Sequence, residues 1–164
     1  MARAYLSLGS NIEPAKHLRQ AVAALRERFG KITLSRLYRT AAVGFEGPAF
    51  LNASAAIDTE LSPEALDAWL HALEDALGRR RDGPRFSSRT LDIDLLLYDD
   101  RVLKGASHLQ LPRPELAAQA FVLGPTAEIA PQLVHPTDGR TLGAMWQAMN
   151  AADALVAVPW DSAD

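Results

Sequence analysis

Two carboxylates set two residues apart in an apolar run are the first chemistry this chain offers. The run is Arg89-Thr90-Leu91-Asp92-Ile93-Asp94-Leu95-Leu96-Leu97. On a strand, side chains repeat every second residue, so Leu91, Ile93 and Leu95 share one face. Asp92 and Asp94 share the other, about 7 Å apart. Carboxylates at that spacing can jointly hold magnesium, a hard cation that takes oxygen ligands and keeps substrate phosphate in its shell. A strand whose polar face simply meets water would carry the same Asp-x-Asp pattern. Acids are disfavoured within so apolar a strand, however, and their placement calls for a compensating role. Just upstream, Arg79, Arg80, Arg81, Arg85 and Arg89 supply cations. The guanidinium is a planar fork that matches phosphate oxygens and stays charged at any working pH. Metal-binding acids joined to an Arg loop point to a nucleoside triphosphate with magnesium. They suit phosphoryl transfer, in which positioning and charge neutralisation do most of the catalysis. There is no Walker A run, because Gly9-Ser10-Asn11 lacks the Gly-Lys-Ser/Thr ending. Asn52 and the aromatics Phe45, Phe50, Phe86 and Phe121 could hydrogen-bond and stack on a flat heterocycle, although each alone reads as readily as core. His17, His71, His108 and His135 show no metal-ligand spacing and read as surface or structural residues.

The charge pattern sharpens this. The chain has 164 residues and a formal net charge of −3, so no global field marks a nucleic-acid or membrane binder. Residues 79 to 89 nevertheless hold five Arg and one Asp, a local +4, and residues 92 to 100 hold four Asp and no base, a local −4. Cysteine is absent, which excludes disulfide scaffolds, thiolate-bound zinc, iron–sulfur clusters and thiol nucleophiles. No apolar run approaches the roughly 20 residues of a spanning helix, and no leader pattern precedes the first strand. The expectation is a cytoplasmic monomer with no nucleic-acid or membrane partner.

Elements must hold these groups in place. Ala4, Leu6 and Leu8 alternate with polar residues, a first strand that should end at the turn cluster Gly9-Ser10-Asn11. From Glu13 and Pro14, Leu18, Ala21, Val22, Leu25 and Phe29 recur at helical spacing until Gly30. Residues 32–38 alternate imperfectly as a second strand, and 50–59 form a third. Ser62-Pro63 opens a helix with Leu66, Trp69, Leu70, Leu73 and Leu77 on one stripe. The Arg-rich stretch then reads as a surface loop, 90–98 as the strongest strand, and 101–103 as its hairpin partner. Beyond Leu111, Pro112, Pro114, Pro125, Pro131 and Pro136 punctuate the chain and leave room for short helices near 117–123 and 142–150. The order strand, helix, strand, strand, helix, strand is that of a split β-α-β motif. It predicts an α+β, ferredoxin-like sandwich, an antiparallel-rich sheet with helices on both faces. One domain should span 1–150, followed by a tail at 151–164 that frays apart from a short strand at 155–158.

Taken together these blocks resemble the 6-hydroxymethyl-7,8-dihydropterin pyrophosphokinase family. The resemblance runs from Ala4 to about Asn150 through Leu8-Gly9-Ser10-Asn11, Tyr38-Arg39-Thr40, Phe50-Leu51-Asn52-Ala53 and Leu73-Glu74. It continues through Gly78-Arg79-Arg80-Arg81, Arg89-Thr90-Leu91-Asp92-Ile93-Asp94, Phe121-Val122-Leu123 and Glu128-Ile129-Ala130-Pro131. It implies transfer of pyrophosphate from ATP to a pterin alcohol in folate biosynthesis, with AMP leaving. By the same resemblance, Asp92 and Asp94 hold two magnesium ions on the ATP phosphates, and Arg79, Arg81 and Arg89 act on the transferred phosphates. Glu74 contacts the nucleotide, while Thr40, Val43, Phe50, Asn52, Phe86 and Phe121 line the pterin pocket.

The chain departs from the family pattern at several positions. Ser87-Ser88 replaces Gly-Pro before Arg89, and Phe86 stands where Trp is common. Ala41-Ala42 lacks the usual Pro after Thr40. Pro112-Arg113 replaces Pro-His near the nucleotide phosphates, and Gln119 stands where Arg is expected two residues before Phe121. Arg113 is assigned to ATP as the charge that Gln119 lacks. The alternative reading is a diverged paralogue that keeps the scaffold but has weak or altered transfer. A nucleic-acid module on the same layout is disfavoured, because the strands lack paired exposed aromatics and acids follow the Arg loop.

Overall fold

Alternation along the first strand commits it to two cores at once. In the computed structural model, which describes residues 1–40, 49–77, 91–104 and 109–160, β1 (Ala2–Ser10) sits inside the main sheet. Its Ala4, Leu6 and Leu8 are fully buried on one side and Tyr5 is buried on the other. The first helix, α1 (Pro14–Phe29), starts with Pro in its first turn and ends at Gly30 in a left-handed φ of 80°. Two short strands follow, β2 (Thr33–Leu34) and β3 (Leu37–Thr40), then the long β4 (Phe50–Thr59). Helix α2 (Pro63–Ala76) is capped by Ser62, whose side chain accepts the Ala65 N–H, and leads to β5 (Asp92–Tyr98). The remainder comprises β6 (Leu103–Lys104), β7 (Gln110–Leu111), α3 (Pro114–Ala118), α4 (Ala120–Ile129), α5 (Leu142–Met149) and β8 (Val156–Val158).

The main sheet runs β5-β1-β4-β3-β8, with β2 also on β4, and every one of these pairings is antiparallel. Leu18 and Leu25 of α1 and Leu66 and Leu70 of α2 pack on one face against Leu6, Leu8, Ile57, Ile93 and Leu95. Leu116, Val122, Leu123, Leu142 and Met145 of α3, α4 and α5 cover the other, against Tyr5, Ala56, Leu96 and Leu97. Each fully buried aliphatic side chain contributes about 1.5–3 kcal/mol of transfer free energy. The expected α+β sandwich with helices on both faces is therefore the fold. Among the described residues no helix is long and apolar enough to cross a membrane.

Four local expectations need correction. Gly9 and Ser10 lie in β1 rather than in a turn, because Gly9 pairs with Asp92 on one side and Asn52 on the other. The strand expected over 32–38 is broken at Ser35-Arg36, so that Leu34 and Leu37 both reach the same core. There the Ser35 hydroxyl accepts the Ser54 N–H (2.9 Å), standing in for a backbone carbonyl of the ladder. Residues 101–103 do not pair with β5, since β6 pairs with β7 in a separate ribbon. Asp99 instead turns the chain back to β1, its N–H donating to the Arg3 carbonyl and its carboxylate accepting the Arg3 N–H. Finally, α4 runs through Pro125 to Ile129, because Gly124, Pro125 and Thr126 are buried, Gly124 beneath Trp146 and Leu155 and Thr126 against Ser54 of the sheet, and packing overrides the lost N–H.

The tail is also partly ordered. Strand β8 pairs with β3, and the Trp160 indole donates to the Ser35 carbonyl (3.0 Å).

A buried hydroxyl relay fixes α4 on the sheet. Ser54 and Thr126 are fully buried with their hydroxyl oxygens 2.7 Å apart, and Thr126 donates to the Val122 carbonyl (2.8 Å). Thr126→Val preserves shape but strands the Ser54 hydroxyl, so it should lower unfolding free energy by about 1–2 kcal/mol in urea melts. An unchanged midpoint would show that the relay does not anchor the helix.

Candidate active site

The sheet register brings the chemistry-bearing residues onto one face. Asp92 lies opposite Gly9, Gly9 opposite Asn52, and Asn52 opposite Tyr38. Directly opposed residues on neighbouring antiparallel strands share a face, and strands lie about 4.8 Å apart, so the Asp92 and Asn52 backbones are roughly 10 Å apart. Asp94 lies one pleat further along, opposite Ser7. As the alternation predicts, Leu91, Ile93 and Leu95 are buried while Asp92 and Asp94 are only half-buried.

Between the acid pair and Asn52 the middle strand carries no side chain, because residue 9 is glycine, buried beneath the Asn52 amide. A Cβ there would stand 3.0 Å from the Asn52 Oδ1. Asn52 is 4% exposed, and its Nδ2 donates to the Thr40 Oγ1 at 2.6 Å. The amide is thus oriented, nitrogen toward Thr40 and oxygen toward Gly9, where it can accept a hydrogen bond from a ligand. Phe50, paired with Thr40 in the ladder, is half-buried, and so is Phe121 in the first turn of α4. Thr40, Phe50, Asn52 and Phe121 can therefore be placed. Val43, Arg79, Arg81, Phe86 and Arg89 lie outside the described residues.

Two further residues have structural roles that the sequence did not disclose. Glu74 was expected against a nucleotide, but it is 1% exposed and its Oε2 accepts the Ile93 N–H at 3.1 Å. Strand β5 is an edge strand, and this bond satisfies a backbone donor between the two aspartates. In this position Glu74 supports the strand that carries the acid pair. His71 lies beside it, its Nε2 3.8 Å from Glu74 and its Nδ1 3.5 Å from Asp67. The second residue is Glu115. Arg113 is tied to β5 by its N–H on the Leu96 carbonyl, and its Nη2 approaches the Asp94 Oδ1 at 3.4 Å. Its Nε donates to the Glu115 Oε2 at 2.6 Å. Burial opposes the charge on Arg113, but Asp94, Glu115 and Asp92 outweigh it and raise its pKa further. Glu115 carried no signal in the sequence beyond its place in the first turn of a short helix. Gln119 ends that helix, on the far side of α3 from Arg113.

The donor set fits magnesium held jointly with phosphate. Asp92 and Asp94 offer hard carboxylate oxygens at the surface, and among the described residues no third His, Asp or Glu completes a protein-only metal cage. That suits an ion that keeps several waters and takes its remaining ligands from a polyphosphate.

Known proteins bear on this geometry directly. The family model for 7,8-dihydro-6-hydroxymethylpterin-pyrophosphokinase (HPPK) matches residues 5–131. Relatives named 2-amino-4-hydroxy-6-hydroxymethyldihydropteridine pyrophosphokinase include one from Methylorubrum extorquens, 44% identical over 138 residues, 82% of this chain and 86% of that protein. One from Pseudomonas aeruginosa is 42% identical over 146 residues, 85% of this chain and 87% of its own length. One from Porphyromonas gingivalis is 40% identical over 141 residues, 83% of this chain and 95% of its own length. The fold is shared with a crystal structure of wild-type Plasmodium falciparum HPPK-DHPS with pteroate, at a TM-score of 0.76 and 14% identity. That alignment covers 90% of this chain but only 42% of the longer one. With residues 5–131 matched by the family model and relatives 40–44% identical over more than four-fifths of the sequence, the chain belongs to the 7,8-dihydro-6-hydroxymethylpterin pyrophosphokinase family.

Proposed function

We propose that the described face is where this chain carries pyrophosphate from magnesium-ATP to the hydroxymethyl oxygen of 6-hydroxymethyl-7,8-dihydropterin. The hydroxymethyl oxygen bonds to the β-phosphorus of ATP and the bridge between the α- and β-phosphorus breaks. AMP leaves with the bridging oxygen, and the hydroxyl proton passes to water. The observation that supports this reading is the single register line Asp92–Gly9–Asn52, which brings the acid pair and the oriented amide onto one face of the sheet, about 10 Å apart.

Asp92 and Asp94 would hold the magnesium, in the two-ion arrangement that the family resemblance implies. When bound, the metal neutralises phosphate charge and activates the β-phosphorus toward attack. The chain's own residues do the positioning. Glu74 holds β5 so that both carboxylates point to the same side. Asn52, locked by Thr40, accepts from an N–H of the pterin edge, and Phe121 supplies a wall on which the ring stacks, with Phe50, Val43 and Phe86 completing the pocket. Arg79, Arg81 and Arg89 are assigned to the moving pyrophosphate, where a fixed cation lowers the barrier as charge develops on the leaving oxygen. All these groups come from one chain, so a monomer suffices. No observation favours the diverged-paralogue alternative.

Purified protein with magnesium, ATP and 6-hydroxymethyl-7,8-dihydropterin should release AMP only when the pterin is present, followed by chromatography. AMP release indifferent to the pterin, or none at all, would overturn the reading. Asp94→Ala should cut kcat roughly a hundredfold or more while circular dichroism stays native. Turnover near wild type would remove Asp94 from the metal site. Gly9→Ala presses a methyl group against the Asn52 amide oxygen and should raise KM for the pterin about tenfold, with KM for ATP much less affected. Equal changes in both constants would argue against Gly9 as the residue that leaves room for the Asn52 amide at the pterin site.

A further inference from the structure

Arg113 does more than add a positive charge near the phosphates. Its guanidinium lies across two carboxylates from different elements, the Glu115 of α3 at 2.6 Å from Nε and the Asp94 of β5 at 3.4 Å from Nη2. The two contacts differ in kind. The Nε contact is a short charge-assisted hydrogen bond, and the Nη2 contact is an ion pair longer than a hydrogen bond. Its side chain is 28% exposed and that of Asp94 29%, so the terminal nitrogens sit at the mouth of the site. The backbone of Arg113 is fixed as well, through its N–H on the Leu96 carbonyl (3.0 Å). The cation is thus tethered at its base, and its fork end lies loosely over the carboxylate assigned to the metal.

We propose that Arg113 is a built-in counter-cation. In the unloaded protein it neutralises the Asp92/Asp94 pair, and it cedes Asp94 when magnesium-ATP arrives, turning its terminal nitrogens onto the phosphate oxygens. Glu115 is the positioning residue, holding Nε so that the fork changes partner without leaving the site. The inference rests on the reading of Asp92 and Asp94 as metal ligands. Physically it is a competition: the guanidinium and a divalent cation repel one another across the same carboxylate, so metal binding without nucleotide is opposed by the ion pair. With nucleotide present, the displaced fork gains phosphate in exchange. The same residue therefore weakens metal binding alone and strengthens binding of the metal–nucleotide complex. A simple phosphate ligand would affect only the second, and a purely structural residue would move both the same way.

The test measures Mn2+ binding to the free protein by electron spin resonance, and separately the affinity for a magnesium-bound non-hydrolysable ATP analogue. Arg113→Met should bind Mn2+ alone about three- to fivefold more tightly than wild type, the scale of one partly exposed ion pair. It should bind the nucleotide complex about tenfold more weakly, the scale of a lost charge-assisted contact. Arg113→His at about pH 8, where the imidazole is neutral, should change both in the same directions, and serves if the Met variant fails to fold. Glu115→Gln keeps the cation but frees it from its tether, leaving Asp94 as its main partner, so Mn2+ alone should bind more weakly. Unchanged or weaker Mn2+ binding in Arg113→Met and Arg113→His would overturn the counter-cation. Asp94→Ala separates the two levels of the inference. If it loses Mn2+ while the Arg113 variants match wild type, only the counter-cation fails. If Asp94→Ala binds Mn2+ like wild type, the metal assignment fails and the counter-cation with it.

Discussion

The antiparallel register of β5, β1 and β4 is the constraint on which the rest of the molecule depends. It sets Asp92, Gly9 and Asn52 abreast on three neighbouring strands. A slip of one residue in either ladder would turn the acids or the amide into the α1–α2 core, because side chains alternate faces. That slip is prevented by the apolar residues between them. Leu6, Leu8, Ile93 and Leu95 are almost wholly buried against α1 and α2, and exposing that set would cost far more than any polar contact on the opposite face could return. The core on one side of the sheet thus fixes the chemistry on the other.

Polar groups at the margins of this frame hold it through specific partners. Glu74 meets the Ile93 N–H in a buried bond along the outer strand of the sheet, and Ser35 and Ser54 carry the ladder across the break between β2 and β3. On the same face, Glu128 of α4 accepts from the Arg36 N–H (2.8 Å), the Arg36 Nε (3.3 Å) and the Tyr38 hydroxyl. Burial and the Glu128 carboxylate together raise the Tyr38 pKa, which keeps it a donor. These bonds seat α4 over β3 and β4, and Phe121 in its first turn packs against the second core. Electrostatics at the acid pair follows the same logic. Two half-buried carboxylates repel one another, and Arg113 stands where it relieves that repulsion.

How much of this could be read in advance depended on the range of the interaction. Asp92 and Asp94 on one face, opposite Leu91, Ile93 and Leu95, followed from strand periodicity and is what the fold displays. So did α1 with its Pro start and Gly stop, and α2 with its Ser62 cap, because caps and periodic stripes are local. Gly9 read as a turn because glycine marks turns more often than strand interiors; only the Asn52 amide lying over it reveals why a strand has no side chain there. The break at Ser35-Arg36 showed only as an imperfect alternation, since the serine that repairs it pairs with a residue 19 positions away. Proline at 125 suggested an end to a helix that in fact continues, because burial of Gly124, Pro125 and Thr126 between the sheet and α5 outweighs the missing N–H.

The sequence by itself determined the element order, the two-faced character of the central strands and the identity of the acid pair. These depend on periods of two and of three to four residues and on the chemistry of single side chains. Only the tertiary structure decided which of those residues meet. Asp94 and Arg113 are 19 positions apart, Asn52 and Thr40 are 12 apart, and Asp92, Gly9 and Asn52 come from three strands. Their juxtaposition is set by pairing register and by two buried cores, which no local pattern encodes. Glu115, invisible as a functional residue in the chain, acquires its place only because α3 carries it to the guanidinium that faces Asp94.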